Sequence, residues 1–126
     1  MALRLLLVED HAALRGALRL LLELGPGMGV VAECGSVAGC RALGDLLETV
    51  GLALLDLMLP DGDGAGLVAV LRGANPKARV LVLTASIEPG LPEGMAQAGA
   101  DGLLDKATPL TEIVSEVGRL AGAGRA

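Results

Sequence analysis

The chain reads as an α/β domain: a doubly wound sheet of five parallel strands with helices on both faces. Three observations predict it. Five short apolar runs alternate with segments whose leucines and valines recur at helical spacing, and such alternation calls for crossover connections and a parallel sheet. The run Leu52-Ala53-Leu54-Leu55 is apolar at every position, which suits a strand covered on both faces. The runs also end abruptly in polar residues: Glu9-Asp10, Asp56, Thr84 and Asp105-Lys106. Parallel strands share a direction, so these polar residues collect at one edge, where ligands sit in open α/β sheets.

Each element follows in order. Leu3 to Val8 is a strand interrupted only by Arg4. Leu14, Leu18, Leu21 and Leu22 form the apolar face of a first helix, with Arg15, Arg19 and Glu23 on another face and Gly25-Pro26-Gly27 as its stop. Val30-Val31-Ala32 reads as a second strand. Ser36 caps a second helix carrying Ala38, Leu43, Leu46 and Leu47. A third strand delivers Asp56 to a Pro60-Asp61-Gly62 turn, and Leu67, Val68, Val70 and Leu71 mark a third helix closed by Asn75-Pro76. Val80 to Leu83 is a fourth strand ending in Thr84.

The next segment, Glu88 to Gly94, is rich in Pro and Gly and predicts a mobile or partly unwound stretch, helical only over Met95 to Ala98. Gly102-Leu103-Leu104 is a brief fifth strand. Thr108 caps a last helix with Pro109 at its first position and Leu110, Ile113, Val114, Val117 and Leu120 on one face. Residues 1–121 make the domain, and 122–126 a flexible Gly/Ala-rich tail.

Composition narrows the class. A chain of 126 residues is one domain, and 52% hydrophobic residues exclude a disordered one. No apolar run reaches the roughly 18 residues of a membrane span, and the N-terminus enters the first strand without a signal peptide. A cytoplasmic protein is expected. Net charge of −5 argues against direct binding of nucleic acid. Cys34 and Cys40 are read as reduced, structural thiols. There is no Phe, Tyr or Trp, so Leu, Val and Ala must fill the core.

Glu9, Asp10, Asp56, Thr84 and Lys106 therefore converge. Packed carboxylates repel, and an oxygen-only ligand set relieves the conflict with a hard cation such as Mg²⁺. Mg²⁺, an ammonium and a hydroxyl together neutralise and orient phosphoryl oxygens, and a central carboxylate then serves as nucleophile. The result is an aspartyl-phosphate site. Other motifs are weaker. Asp61 and Asp63 lack the partners of a calcium loop and read as turn residues. His11 has no ligand cluster around it, and the glycine clusters miss dinucleotide spacing.

Four segments make a specific likeness: Val8-Glu9-Asp10-His11, Leu55-Asp56-Leu57-Met58-Leu59-Pro60-Asp61-Gly62-Asp63-Gly64, Val82-Leu83-Thr84-Ala85-Ser86 and Gly99-Ala100-Asp101-Gly102-Leu103-Leu104-Asp105-Lys106. Over essentially its whole length the chain resembles a receiver domain of a two-component response regulator. Asp10-His11 and Lys106-Ala107-Thr108-Pro109 most resemble receivers of the NarL/FixJ kind, found in LuxR-type regulators.

The resemblance implies a flavodoxin-like strand order 2-1-3-4-5. It implies Asp56 as phospho-acceptor and Mg²⁺ held by Glu9, Asp10, Asp56 and the backbone carbonyl of Met58. Thr84 would bond a phosphoryl oxygen and act as a switch, and Lys106 would pair with the phosphoryl charge. The donor would be a histidine kinase or a small acyl phosphate, a second copy of the chain is a candidate partner, and DNA would be reached only through a C-terminal helix-turn-helix domain outside this chain.

One departure is that Leu103 stands where the family usually carries an aromatic switch residue. A signalling module, not an enzyme, is the favoured reading. Two alternatives stay open: a stand-alone or degenerate receiver that only docks proteins, and an aspartyl-phosphate phosphohydrolase. The latter wants an acid/base carboxylate two positions after Asp56, where Met58 stands.

Overall fold

The computed structural model describes residues 3–122. Five parallel strands, β1 (Leu3–Val8), β2 (Met28–Cys34), β3 (Leu52–Asp56), β4 (Arg79–Thr84) and β5 (Gly102–Asp105), form one sheet in the order β2-β1-β3-β4-β5. This is the order expected from the resemblance. A two-residue antiparallel ladder, Met58–Leu59 with Gly62–Asp63, lies outside the sheet.

Strict alternation along the strands divides the core in two. Leu6, Val8, Ala53, Leu55, Val80 and Val82 face one side, where α3 (Ala65–Ala74) contributes Leu67, Val68 and Leu71. Leu5, Leu7, Leu52, Leu54, Leu81 and Leu83 face the other. There α1 (Ala12–Glu23) brings Leu18 and Leu22, and α5 (Leu110–Gly122) brings Ile113, Val117 and Leu120. Each fully buried Leu or Val contributes about 1.5–3 kcal/mol, so a core without a single aromatic ring is sufficient. Both flanking layers keep the central strands dry and send their polar termini to one edge.

Three expectations need correction. The second helix is not continuous: α2 (Val37–Arg41) ends at Ala42, and a 3₁₀ turn over Gly44–Thr49 takes over. Gly44 sits at φ +54°, a conformation that breaks a helix, and its neighbour Leu43 still packs on the core. Conversely, α4 is helical over Leu91–Ala98, which takes in Leu91 to Gly94 of the stretch expected to be unwound. Pro92 lies in the first turn, where its missing N–H costs nothing. Gly90 and Gly99 occupy left-handed conformations at its two ends, and the Gly99 and Ala100 N–H groups close the C-terminus on Ala96 and Met95. The breakers thus bound this helix.

The last helix starts at Leu110, and Pro109 lends its carbonyl to the N–H groups of Glu112 and Ile113. Pro109 is therefore the cap position, and the helix begins one residue later than expected. The helix includes Ala121 and Gly122, and residues 123–126 of the expected tail lie outside the described residues.

Candidate functional site

The chain reverses direction across the sheet between β1 and β3, and the crevice of such a fold opens there at the C-terminal strand ends. Glu9 and Asp10 follow β1, and Asp56 ends β3 beside them. Register places Asp56 next to Leu83 on β4 and Thr84 next to Asp105 on β5. The Lys106 N–H donates to the Thr84 carbonyl at 2.8 Å, which swings the Lys106 side chain back over the edge.

Four of the five expected polar side chains form one cluster. Glu9, Asp10 and Asp56 each offer a carboxylate oxygen, all within 4.8 Å of one another. Glu9 and Asp56 are 3% and 1% exposed, whereas Asp10 faces solvent. Lys106 Nζ bridges the buried pair, at 2.8 Å from Glu9 Oε1 and 2.9 Å from Asp56 Oδ2. The other Asp56 oxygen accepts the Met58 N–H at 3.0 Å, and Glu9 Oε1 also accepts the His11 N–H.

Burial pushes the Glu9 carboxyl above its ordinary value, against the pull of the Lys106 hydrogen bond, and Asp56 adds to the rise. For Lys106, burial works against the ammonium, but the bonds to Glu9 and Asp56 outweigh it and hold its pKa above the usual.

One ammonium does not satisfy three carboxylates. Glu9 Oε2 is buried and meets no donor among the described residues. An oxygen-only donor set with an unsatisfied buried anion suits a hard divalent cation, which favours carboxylate ligands and retains several waters. These three residues could hold Mg²⁺.

Thr84, the fifth residue, is buried at the same edge, and its hydroxyl is engaged with Ser86. It donates to the Ser86 carbonyl at 3.2 Å and receives the Ser86 N–H at 3.4 Å. Thr84 and Met58 line a cleft of about 360 Å³ with Leu57, Leu59, Gly62 and Asp63. Leu103 sits beside Val82 on β5, half-buried against the α3-side core, and borders a groove with Pro92, Met95 and Ala96 of α4.

Sequence reasoning passed over three supporting residues. Arg15, placed on another face of α1 than the leucines, turns back and donates to the Glu9 carbonyl and to Glu33. Asp61, read as a turn residue, accepts the N–H groups of Val37 and Ala38 at 2.8 and 2.9 Å, tying the β3–α3 loop to the start of α2. Gly64 lies against the site's own backbone: a Cβ there would fall 2.3 Å from the Asp56 carbonyl oxygen. Each contact joins different elements or loops of the fold, and no local periodicity announces it. Asp63 does act within its turn, accepting the Ala65 N–H, and His11 caps α1 through Nδ1.

Comparison with known proteins agrees with this geometry. The family model for the response regulator receiver domain matches residues 5–118. The response regulator UvrY of Escherichia coli O6:H1 is 33% identical over 119 residues, covering 91% of this chain and 52% of that protein. The nitrate/nitrite response regulator protein NarP of Escherichia coli K12 is 36% identical over 103 residues, covering 82% and 47%. This chain therefore spans about half the length of these regulators. Among solved structures, a LuxR-family two-component response regulator from Aurantimonas sp. SI85-9A1 superposes with a TM-score of 0.85 at 30% identity, covering 99% of this chain and 88% of that one.

Proposed function

The chain belongs to the response regulator receiver domain family, of the LuxR/NarL type in two-component signalling, and from that premise we propose that Asp56 accepts a phosphoryl group in a Mg²⁺-dependent reaction. The observation that carries the proposal is the Lys106 ammonium lying across Glu9 and Asp56 inside the carboxylate cluster.

An Asp56 oxygen attacks the phosphorus, and the bond from phosphorus to the donor breaks with its electron pair leaving on the donor. Before attack, the Met58 N–H orients the Asp56 carboxylate. As the transferred oxygens gather charge, Lys106 pairs with them and Thr84 turns its hydroxyl from the Ser86 carbonyl toward one of them. Glu9, Asp10, Asp56 and the Met58 carbonyl would hold Mg²⁺, which would supply charge neutralisation to the phosphoryl group. Movement at Thr84 frees space beside β5, and Leu103 follows, altering the groove against α4.

The donor class is a histidine kinase phosphohistidine or a small acyl phosphate. The readout belongs to a longer regulator that binds DNA through another domain, with a second copy of the chain as a further candidate partner.

Incubation with Mg²⁺ and a small acyl phosphate, followed by intact mass, tests this. One labile phosphoryl adduct is expected, absent in Asp56→Asn and without Mg²⁺. No adduct would favour a docking-only module, and rapid turnover of many phosphate esters a phosphohydrolase.

A further inference from the structure

Arg15 stands behind the acidic loop. It lies in the first turn of α1, where its N–H bonds the His11 carbonyl at 3.0 Å. Its Nη1 donates to the Glu9 carbonyl at 2.5 Å, and its Nε donates to Glu33 Oε1 at 3.2 Å. Glu33 pairs in register with Leu7, and its other carboxylate oxygen accepts a bond from Arg19. The Arg15 and Glu33 side chains are each 24% exposed, so the pair is largely sheltered from water. Gly35 leaves room for the guanidinium: a Cβ there would lie 3.3 Å from Arg15 Nη1 and 3.5 Å from the Asp10 Cα.

The Glu9 carbonyl belongs to the peptide unit that joins Glu9 to Asp10, a rigid plane carrying both Cα atoms. The orientation of that plane sets where both carboxylates leave the backbone. On its other side, the Glu9 N–H is held by the Cys34 carbonyl at 2.9 Å. Arg15 fixes the carbonyl end, and its side-chain bonds go to that carbonyl and to Glu33, leaving the cluster's own carboxylates to other partners.

We propose that Arg15 is a positioning residue: oriented by Glu33, it locks the Glu9–Asp10 peptide where Glu9, Asp10 and Asp56 converge, and so sets the affinity of the cluster for a divalent cation. The inference rests on the reading that this cluster holds Mg²⁺. Groups that orient metal ligands from outside the coordination shell contribute about 10–100-fold to affinity. Charge alone works in the opposite direction. Arg15 is a cation beside a cation site, so relief of repulsion by itself would make Arg15→Ala bind Mg²⁺ more tightly.

The test titrates the whole chain and its variants with MgCl₂ by calorimetry, well below their unfolding temperatures, and follows amide exchange in Mg²⁺-free buffer. Arg15→Ala should bind Mg²⁺ about tenfold more weakly than the parent. Arg19→Ala removes the same charge one turn away, and should stay within about twofold of the parent because Arg19 does not bond the Glu9 carbonyl. Arg15→Lys keeps the charge and one donor, perturbs the fold least, and should fall between the parent and Arg15→Ala. Without Mg²⁺, exchange over residues 9–11 should quicken about tenfold in Arg15→Ala and stay unchanged in Arg19→Ala. Arg15 variants that bind as tightly as the parent, or an equal loss in Arg19→Ala, would overturn this inference alone. A parent that binds no Mg²⁺ would overturn the cation reading together with it.

Discussion

At Lys106 a single ammonium, about a quarter exposed, stands between two carboxylates that are almost wholly buried. Removing it leaves Glu9 and Asp56 facing one another in a low-dielectric edge. Breaking a buried ion pair from one side costs several kcal/mol, and partial exposure of the lysine discounts that figure, so Lys106→Met should lose about 1–3 kcal/mol of stability. Urea unfolding followed by far-UV circular dichroism, in Mg²⁺-free buffer, measures it. A variant as stable as the parent would mean that Glu9 keeps its proton and the pair never carried two charges. At Leu103 the side chain has no polar tip to anchor in either rotamer, so the proposed coupling to Thr84 would rest on packing alone.

Among the elements, the β3–α3 loop is held by one close approach and one clasp. Gly64 has φ near −63°, so only space forbids a side chain there, and the obstacle is the Asp56 carbonyl. Gly64→Ala should therefore cost about 1–3 kcal/mol, as overpacking does, and slow phosphoryl acceptance by displacing Asp56. Gly66, in the first turn of α3, has open space around its Cα, so Gly66→Ala is the control and should stabilise by about 0.5–1 kcal/mol through helix propensity. Equal losses in both variants would sink the steric account.

The clasp is electrostatic. The N–H groups of Ala38 and Val37 hold the Asp61 carboxyl below its ordinary 3.8. A carboxyl depressed in the fold contributes stability above its unfolded value, and that contribution disappears as pH falls through the lower folded value. The stability difference between the parent and Asp61→Asn should thus be full above pH 3.8 and shrink below it. Urea midpoints across that range provide the check.

On the scale of the molecule, the chain carries a net charge of −5, and three of its carboxylates meet at one sheet edge. A cation that binds there only in the folded state raises stability by mass action, by about 1.4 kcal/mol at ten times its dissociation constant. For a domain of this size that amounts to about 5 °C in Tm. Millimolar Mg²⁺ should raise the Tm of the parent, and neither Asp10→Asn nor Asp56→Asn should show the full shift. Scans of far-UV ellipticity suit a protein without aromatic residues. No helix among the described residues is long and apolar enough to cross a membrane.

The alternation of apolar runs was enough to specify the five strands, their parallel sense and the edge where Glu9, Asp10, Asp56, Thr84 and Lys106 gather, because strand direction converts position in a run into position in space. Helix boundaries were less legible. Gly44 and Gly90 are equally glycine in the sequence, yet one divides a helix and the other begins one, a difference that the residue type does not carry. Only the tertiary structure decided that Arg15 supports the Glu9 carbonyl, that Asp61 clasps α2 and that Gly64 leaves room for the Asp56 backbone. Those contacts join residues six to twenty-four positions apart through turns whose path is set by the assembled core, and no local periodicity encodes them.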